Sequence, residues 1–290
     1  MPSTFVRMRK HFAWLAALLF VACSGSSATD PTSSSSGSGS SSGGSSGSLD
    51  GGGGGDSSAP SGPYKSYVTL GDSISDRGGV APFFYDLLAA NDDATWPDYG
   101  GKDFKSVYGA DFKVYKHAVS GSVSSGLLKQ IEGIPEGVVP PVVVTLTIGG
   151  NDLRAAILRV LQGQDGPDRD AFRANLTAAF AALKKKLPGA RVFQATIYDP
   201  SDGTGDFSRC GSPLNLIPKQ DTKPFFAAWN QVATEVAAAE GVTMVDAYSA
   251  FNGHGVVPTA ENWFAADCIH PSRIGHNEMR KLFFPKITGR

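Results

Sequence analysis

Four short segments of this 290-residue chain hold side chains that can do chemistry. "GDSISD" (Gly71–Asp76) carries Ser73, "SGS" (Ser120–Ser122) carries Gly121, "IGGNDL" (Ile148–Leu153) carries Asn151, and "DCIHPSRIGH" (Asp267–His276) sets Asp267 three residues before His270. A hydroxyl, an unobstructed backbone N–H, a carboxamide and a carboxylate–imidazole pair are the groups from which hydroxyl-based nucleophilic catalysis is assembled. Each segment also has a plainer use. Gly-Asp-Ser can end a strand in a turn, Gly-Gly-Asn-Asp can be a turn with a helix cap, and Asp267 can be another cap. What separates the set from coincidence is placement: the signals occupy separate strand-end or C-terminal loops, in one order.

The elements that must position these loops can be read from the hydrophobic pattern. "SYVTL" (Ser66–Leu70), "FKVYKHAV" (Phe112–Val119), "PVVVTLTI" (Pro141–Ile148), "ARVFQATI" (Ala190–Ile197) and "GVTMVDA" (Gly241–Ala247) are short runs rich in β-branched residues. The third is almost continuously apolar, as a strand covered on both faces of a parallel sheet should be. Helix-like stretches alternate with them at Ala81–Asn91, Asp168–Gly189, Lys223–Gly241 and Ser272–Ile287. The second runs from an acidic start to a Lys-rich end closed by Pro-Gly. This alternation predicts an α/β domain, a three-layer α/β/α sandwich with a mainly parallel five-stranded sheet. Function then gathers at the carboxyl ends of the strands, where the first three segments lie, with the fourth near the C-terminus.

These blocks resemble, in order and spacing, those of the SGNH (GDSL-type) serine hydrolase and esterase family across nearly all of residues 66–285. Gly71-Asp72-Ser73 is similar to its first block, with Ile74 where leucine is common. Ser120-Gly121 is similar to its glycine block, and Lys116 or His117 stands where many members have asparagine before it. Gly149-Gly150-Asn151-Asp152 and Asp267-Cys268-Ile269-His270-Pro271 match the remaining two. The resemblance implies a flavodoxin-like SGNH fold, with Ser73 as nucleophile, His270 as general base and then acid, and Asp267 as the group that orients His270. It also implies an oxyanion hole built from the Ser73 and Gly121 N–H groups and the Asn151 amide. The Gly-x-Ser-x-Gly elbow of α/β-hydrolases is absent around Ser73. Glycine at 121 is expected to permit a close backbone approach that a Cβ would obstruct. Asp72, Asp76 and Asp152 are expected to fix loop geometry or cap helices.

The N-terminus reads as an address. Arg7, Arg9 and Lys10 precede the apolar run Phe12–Ala22, too short for a comfortable permanent span and suited to a signal peptide over residues 1–22. The run ends at Cys23 inside "FVAC", which resembles a bacterial lipobox with Phe20 in place of the usual leucine; lipidation of Cys23 is expected, an ordinary secretory cut being the alternative. Residues 24–62 hold 17 Ser and 12 Gly, a composition that cannot offset its ordering entropy and behaves as a flexible tether. The catalytic domain is therefore assigned to residues 63–290. Three basic and three acidic side chains lie before residue 63, leaving 23 and 24 in the domain, a balance without the footprint of a nucleic-acid binder.

Other reactive side chains are given lesser roles. His276, with Asp246 or Asp152, lacks a tight zinc-ligand spacing, so no metal is expected, and no organic cofactor is needed. His117 and His254 are read as loop or strand residues. Cys210 and Cys268 are the only thiols after Cys23; export favours a disulfide between them, two separate buried thiols being the alternative. Asn175-Leu176-Thr177 fits a glycosylation sequon but carries little weight in a bacterial lipoprotein. Phe83, Phe84, Tyr85 and Trp96 could wall an acyl site or belong to the core. The expected protein is a monomeric extracytoplasmic serine esterase or lipase, lipid-anchored at the bacterial cell envelope. Its substrate is a small-molecule, lipid or acylated-glycan ester. A carbohydrate acetylesterase or a non-catalytic surface binding module are the rival readings.

Overall fold

Strands that are buried on both faces exclude charged side chains and favour apolar ones, and the computed structural model places the runs "VVVTLT" and "SYVTLG" in that situation. It describes residues 63–290 apart from 213 and 217. The signal segment 1–22, Cys23 and the tether up to residue 62 lie outside the described residues. The strands are β1 Ser66–Gly71, β2 Lys113–Lys116, β3 Val142–Thr147, β4 Arg191–Ala195 and β5 Thr243–Val245. They form one sheet in the order β2-β1-β3-β4-β5, and all four pairings are parallel. The sheet is thus wholly parallel.

The helices are α1 Phe84–Ala89, α2 Phe104–Tyr108, α3 Leu127–Glu132, α4 Gly150–Ala155, α5 Ile157–Val160, α6 Gly166–Lys186, α7 Lys223–Glu240, α8 Ala247–Phe251 and α9 Arg273–Thr288. Alternate residues of one strand serve opposite layers. Val142, Val144 and Leu146 pack with α3, α6 and α7 through Ile131, Leu176, Phe180, Trp229 and Val232. Val143 joins Tyr67, Phe193 and Val245 in a second core against α1, α2, α8 and α9, including Phe84, Phe104, Phe251 and Phe283. This is the three-layer sandwich that the alternating pattern implies. No helix among the described residues is long and apolar enough to cross a membrane.

Phe84 and Tyr85 are fully buried in the second core, so they do not wall an acyl site. Their spacing puts them on the inner face of α1, where burying an aromatic ring contributes about 2–3 kcal/mol. Strand β2 is shorter than the Phe112–Val119 run, although His117 N and Val119 N still donate to the Thr69 and Gly71 carbonyls of β1.

Candidate active site

The chain leaves β1 through Gly71, whose φ of +121° suits glycine and whose missing side chain would overlap the Thr147 carbonyl. Asp72 then caps a single 3-10 turn over Ser73–Ser75. Its Oδ1 accepts from Ile74 N at 3.1 Å and from Thr147 Oγ1 at 2.9 Å, and Ser75 Oγ lies 2.8 Å from the same threonine oxygen. The turn that carries Ser73 is thereby tied to the end of β3. The Ser73 carbonyl accepts from Asp76 N and Gly78 N.

The fourth segment comes back over this turn. His270 Nε2 is 2.8 Å from Ser73 Oγ, and His270 Nδ1 is 2.7 Å from Asp267 Oδ2. The other carboxylate oxygen, Asp267 Oδ1, accepts from Ile269 N at 3.0 Å and His270 N at 2.9 Å. Burial pushes the Asp267 carboxyl up, but the hydrogen bonds from the imidazole and these two N–H groups outweigh it and hold the group down at about 2. With Asp267 ionised, the neutral imidazole carries its proton on Nδ1 and presents Nε2 as an acceptor to the Ser73 hydroxyl.

Several supports hold the Asp267–His270 loop. Cys268, at φ +62°, is bonded to Cys210, with the two Cα atoms 5.9 Å apart. Tyr198 Oη donates to the Ile269 carbonyl at 2.9 Å, and Ala265 N donates to the His270 carbonyl at 2.8 Å. Gly78 supplies the floor: a Cβ there would lie 2.5 Å from His270 Cδ2 and 2.6 Å from the Ser73 carbonyl oxygen. The need for glycine at 78 is invisible in the sequence, because the ring it makes room for is 192 residues away.

The second and third segments close the site from the other side. Ser120 N and Oγ both bond to Asp76 Oδ2, at 2.9 and 3.0 Å, joining the glycine block to the turn after β1. Gly121 has φ +79°, and a Cβ on it would meet nothing within 4 Å. The backbone conformation here favours glycine, and the space a Cβ would enter is open. Asn151 lies in the first turn of α4, following Gly149 at φ +111°, where a Cβ would press on Ile197 and Phe172. Asn151 Nδ2 donates to the Ser122 carbonyl at 3.0 Å, which leaves its second amide hydrogen to spare. Neither Ser73 N–H nor Gly121 N–H has an acceptor among the described residues.

Three acidic neighbours act as loop fasteners. Asp72 and Asp76 hold the turn after β1; Asp152 accepts from Ser124 N and Oγ, and Ser124 Oγ accepts in turn from Asn175 Nδ2 at 3.0 Å. The sequon asparagine is thus engaged inside the protein. His276 is fully buried: it donates from Nε2 to the Gly78 carbonyl at 2.9 Å and accepts at Nδ1 from Phe84 N, and burial pushes it down to about 4. His254 stacks on Trp263 with ring centroids 3.6 Å apart, and His117 follows β2. Neither hydrogen-bonds to Ser73 or Asp267.

Asp72 gives a pH-dependent prediction. Full burial raises its carboxyl from 3.8 to about 7, against the hydrogen bonds from Thr147 and Ile74. The folded state therefore holds this proton at pH values where the unfolded chain has lost it, and stability from this group falls as pH rises from about 4 to about 7. Asp72→Asn keeps the acceptor oxygen and cannot ionise. The stability difference, variant minus wild type, is expected to grow in favour of the variant over that window when followed by denaturant unfolding; a pH-independent difference refutes it.

The family model for GDSL-like lipases and acylhydrolases matches residues 69–277. No curated protein matches the sequence. Among solved structures, an acetylxylan esterase from Geobacillus stearothermophilus superimposes with a TM-score of 0.53 at 20% identity, over 78% of this chain and 95% of that one. An α/β hydrolase from the metagenome of Lake Arreo in Spain gives 0.50 at 19%, over 78% and 95%. The phospholipase A1 of Streptomyces albidoflavus gives 0.48 at 20%, over 78% and 99%. The sheet, the four loops gathered at its carboxyl end and the match over residues 69–277 lead to one conclusion: the chain belongs to the GDSL-like lipase/acylhydrolase family.

Proposed function

We propose that this chain is a serine esterase that hydrolyses carboxylic esters through an acyl-enzyme on Ser73. The observation that carries the reading is the continuous hydrogen-bonded chain Ser73–His270–Asp267, with links of 2.8 and 2.7 Å. His270 Nε2 takes the hydroxyl proton as Ser73 Oγ attacks the ester carbonyl carbon. The oxyanion is held by Ser73 N–H, Gly121 N–H and the Asn151 amide. The bond to the alcohol oxygen then breaks, and His270 gives its proton to that oxygen. Water, deprotonated by His270, attacks the acyl carbon; the Ser73 oxygen leaves and recovers the proton.

The same protein is proposed to work outside the cytoplasm, anchored by a lipid on Cys23. The basic residues Arg7, Arg9 and Lys10, the apolar run and the cysteine at its end support this, as does a disulfide of the kind that persists in oxidising compartments. More than one acyl chain on such an anchor is what stable attachment needs.

The acyl half of the substrate is read from the rim. Val80 and Val119 are 43% and 52% exposed, two residues from Gly78 and Gly121 respectively, and they are the apolar surface proposed to receive an acyl chain. A second reading, removal of acetyl groups from a glycan, is favoured by the burial of Phe84 and Tyr85, which takes away two of the four aromatic rings a long chain could use. Purified full-length protein assayed on p-nitrophenyl esters from acetate to palmitate, acetylated xylan and lysophospholipid separates the two. An optimum beyond acetate is expected; an optimum at acetate with xylan turnover selects the second reading. The absence of turnover on every ester favours a binding module. Cys23→Ala should move the protein from the detergent phase to the aqueous phase, and unchanged partitioning rejects the anchor.

A further inference from the structure

Gln130 takes part in no catalytic step, yet its side chain bonds both the end of the strand that leads to Ser73 and the turn that carries Gly121. It projects from α3, is buried, and uses both ends of its amide. Oε1 accepts from Gly71 N at 2.8 Å, while Nε2 donates to the Gly71 carbonyl at 2.8 Å and to Ser122 Oγ at 2.9 Å. Gly71 is two residues before Ser73. Ser122 follows Gly121, and its carbonyl accepts from Asn151 Nδ2 at 3.0 Å. Two of the three chain segments that supply the proposed oxyanion donors thus bond directly to a single buried carboxamide, and the third is joined to it through the Ser122 carbonyl.

The surrounding backbone shows why a side chain is needed. The Gly71 carbonyl also accepts from Val119 N, and Ser122 N closes a turn onto the Val119 carbonyl. Residues 119–122 form an exposed turn whose tip, Ser120–Gly121, has few apolar contacts of its own to hold it. Outside the Asp76–Ser120 contacts, its position relative to Ser73 depends on the Gly71 bonds, and Gln130 supplies two of those plus the one to Ser122 Oγ. A carboxamide suits the place because its acceptor oxygen and its NH₂ lie side by side on one planar group, which accepts from Gly71 N while donating to the Gly71 carbonyl and to Ser122 Oγ.

We infer that Gln130 is the positioning residue of the oxyanion hole, setting the Ser73, Gly121 and Asn151 donors at the spacing the tetrahedral intermediate requires. The inference rests on the acyl-enzyme reading. Its physical basis is steep geometry: oxyanion donors act at 2.7–3.1 Å from the developing charge, and small misplacements are costly. These donors interact more strongly with the oxyanion than with the ground-state ester carbonyl, so the loss should fall mainly on kcat.

The test uses the full-length protein with Gln130→Glu and Gln130→Met. The first keeps the shape and the acceptor for Gly71 N but, as a carboxylate, cannot donate; the second keeps the volume and removes all three bonds. Turnover of p-nitrophenyl acetate is measured alongside the affinity for phenylboronic acid. Boron takes up the Ser73 oxygen, whose proton passes to His270, and the adduct presents an oxygen to the hole. Both variants should lose about 10- to 100-fold in kcat, with KM within about threefold and boronate affinity falling in parallel with kcat/KM. Folded variants with kcat and boronate affinity within twofold of wild type overturn the inference, as does a loss confined to KM. If neither variant folds by circular dichroism and thermal melting, Gln130 holds the fold and the inference is likewise overturned. Wild-type and Ser73→Ala proteins run first: turnover that is absent, or independent of Ser73, defeats the acyl-enzyme reading itself, whereas Ser73-dependent turnover with unaffected Gln130 variants defeats only the clamp.

Discussion

Ser73→Ala is expected to lower kcat on p-nitrophenyl esters by roughly 10⁶-fold, with the thermal midpoint unchanged. The change deletes one oxygen, and that oxygen's only hydrogen bond is to His270 Nε2. The backbone of the turn does not depend on it, because the Ser73 carbonyl still accepts from Asp76 N and Gly78 N and the Asp72 cap is untouched. No neighbouring hydroxyl can take over. Ser75 is engaged with Thr147, Ser120 with Asp76, Ser122 with Gln130 and Ser124 with Asp152, and none of them reaches an imidazole. Residual activity over water, about 10³-fold or more, would come from the oxyanion donors and substrate binding alone. Variant activity within tenfold of wild type would mean that Ser73 is not the nucleophile.

Asp267→Asn is expected to cost about 10⁴-fold in kcat, through a single hydrogen placed on the wrong atom. Asp267 Oδ1 accepts from two backbone N–H groups, and the amide oxygen of asparagine can keep both bonds. That choice puts the NH₂ where Oδ2 stood, 2.7 Å from His270 Nδ1. A donor there forces Nδ1 to accept, so the proton moves to Nε2, and an imidazole protonated on Nε2 cannot take a proton from Ser73. The variant also loses the charge that stabilises the imidazolium as attack proceeds. In the wild type that charge is secure, since the carboxyl is held at about 2. The stability it contributes is present above about pH 4 and is lost as pH falls through about 2. The two effects can be told apart by measuring kcat at neutral pH and unfolding between pH 2 and 5. An asparagine variant that retains a tenth of the activity defeats the proposed role for Asp267.

Both predictions concern residues that were legible in the sequence, and the reason is local. Ser73 follows its strand directly, and Asp267 and His270 are close enough in the chain for one short loop to hold the pair. The strands themselves were legible because a parallel sheet covered on both sides leaves apolar runs such as Val142–Leu146, and the long helices α6, α7 and α9 because several turns give a period to read. Helices α2, α4, α5 and α8 span four to six residues, less than two turns, and leave no period. The aromatic run Phe83–Tyr85 showed its size but not its direction: α1 turns Phe84 and Tyr85 into the core.

By itself, then, the amino-acid order determined the layer architecture, the four motif-bearing loops and the group types within them, because hydrophobic period and turn chemistry are properties of neighbouring residues. The tertiary structure decided the rest. It set Ser73 Oγ 2.8 Å from an imidazole 197 residues away, demanded glycine at 78 to make room for that ring, and bonded Cys210 to Cys268 across 58 residues. It drew Gly71 and Ser122 onto the buried amide of Gln130 and turned His276 into a wedge beneath Gly78. These contacts join residues whose separation is fixed only when the sheet closes and the loops at its carboxyl end are packed side by side, and a distance of that kind leaves no trace in a one-dimensional pattern.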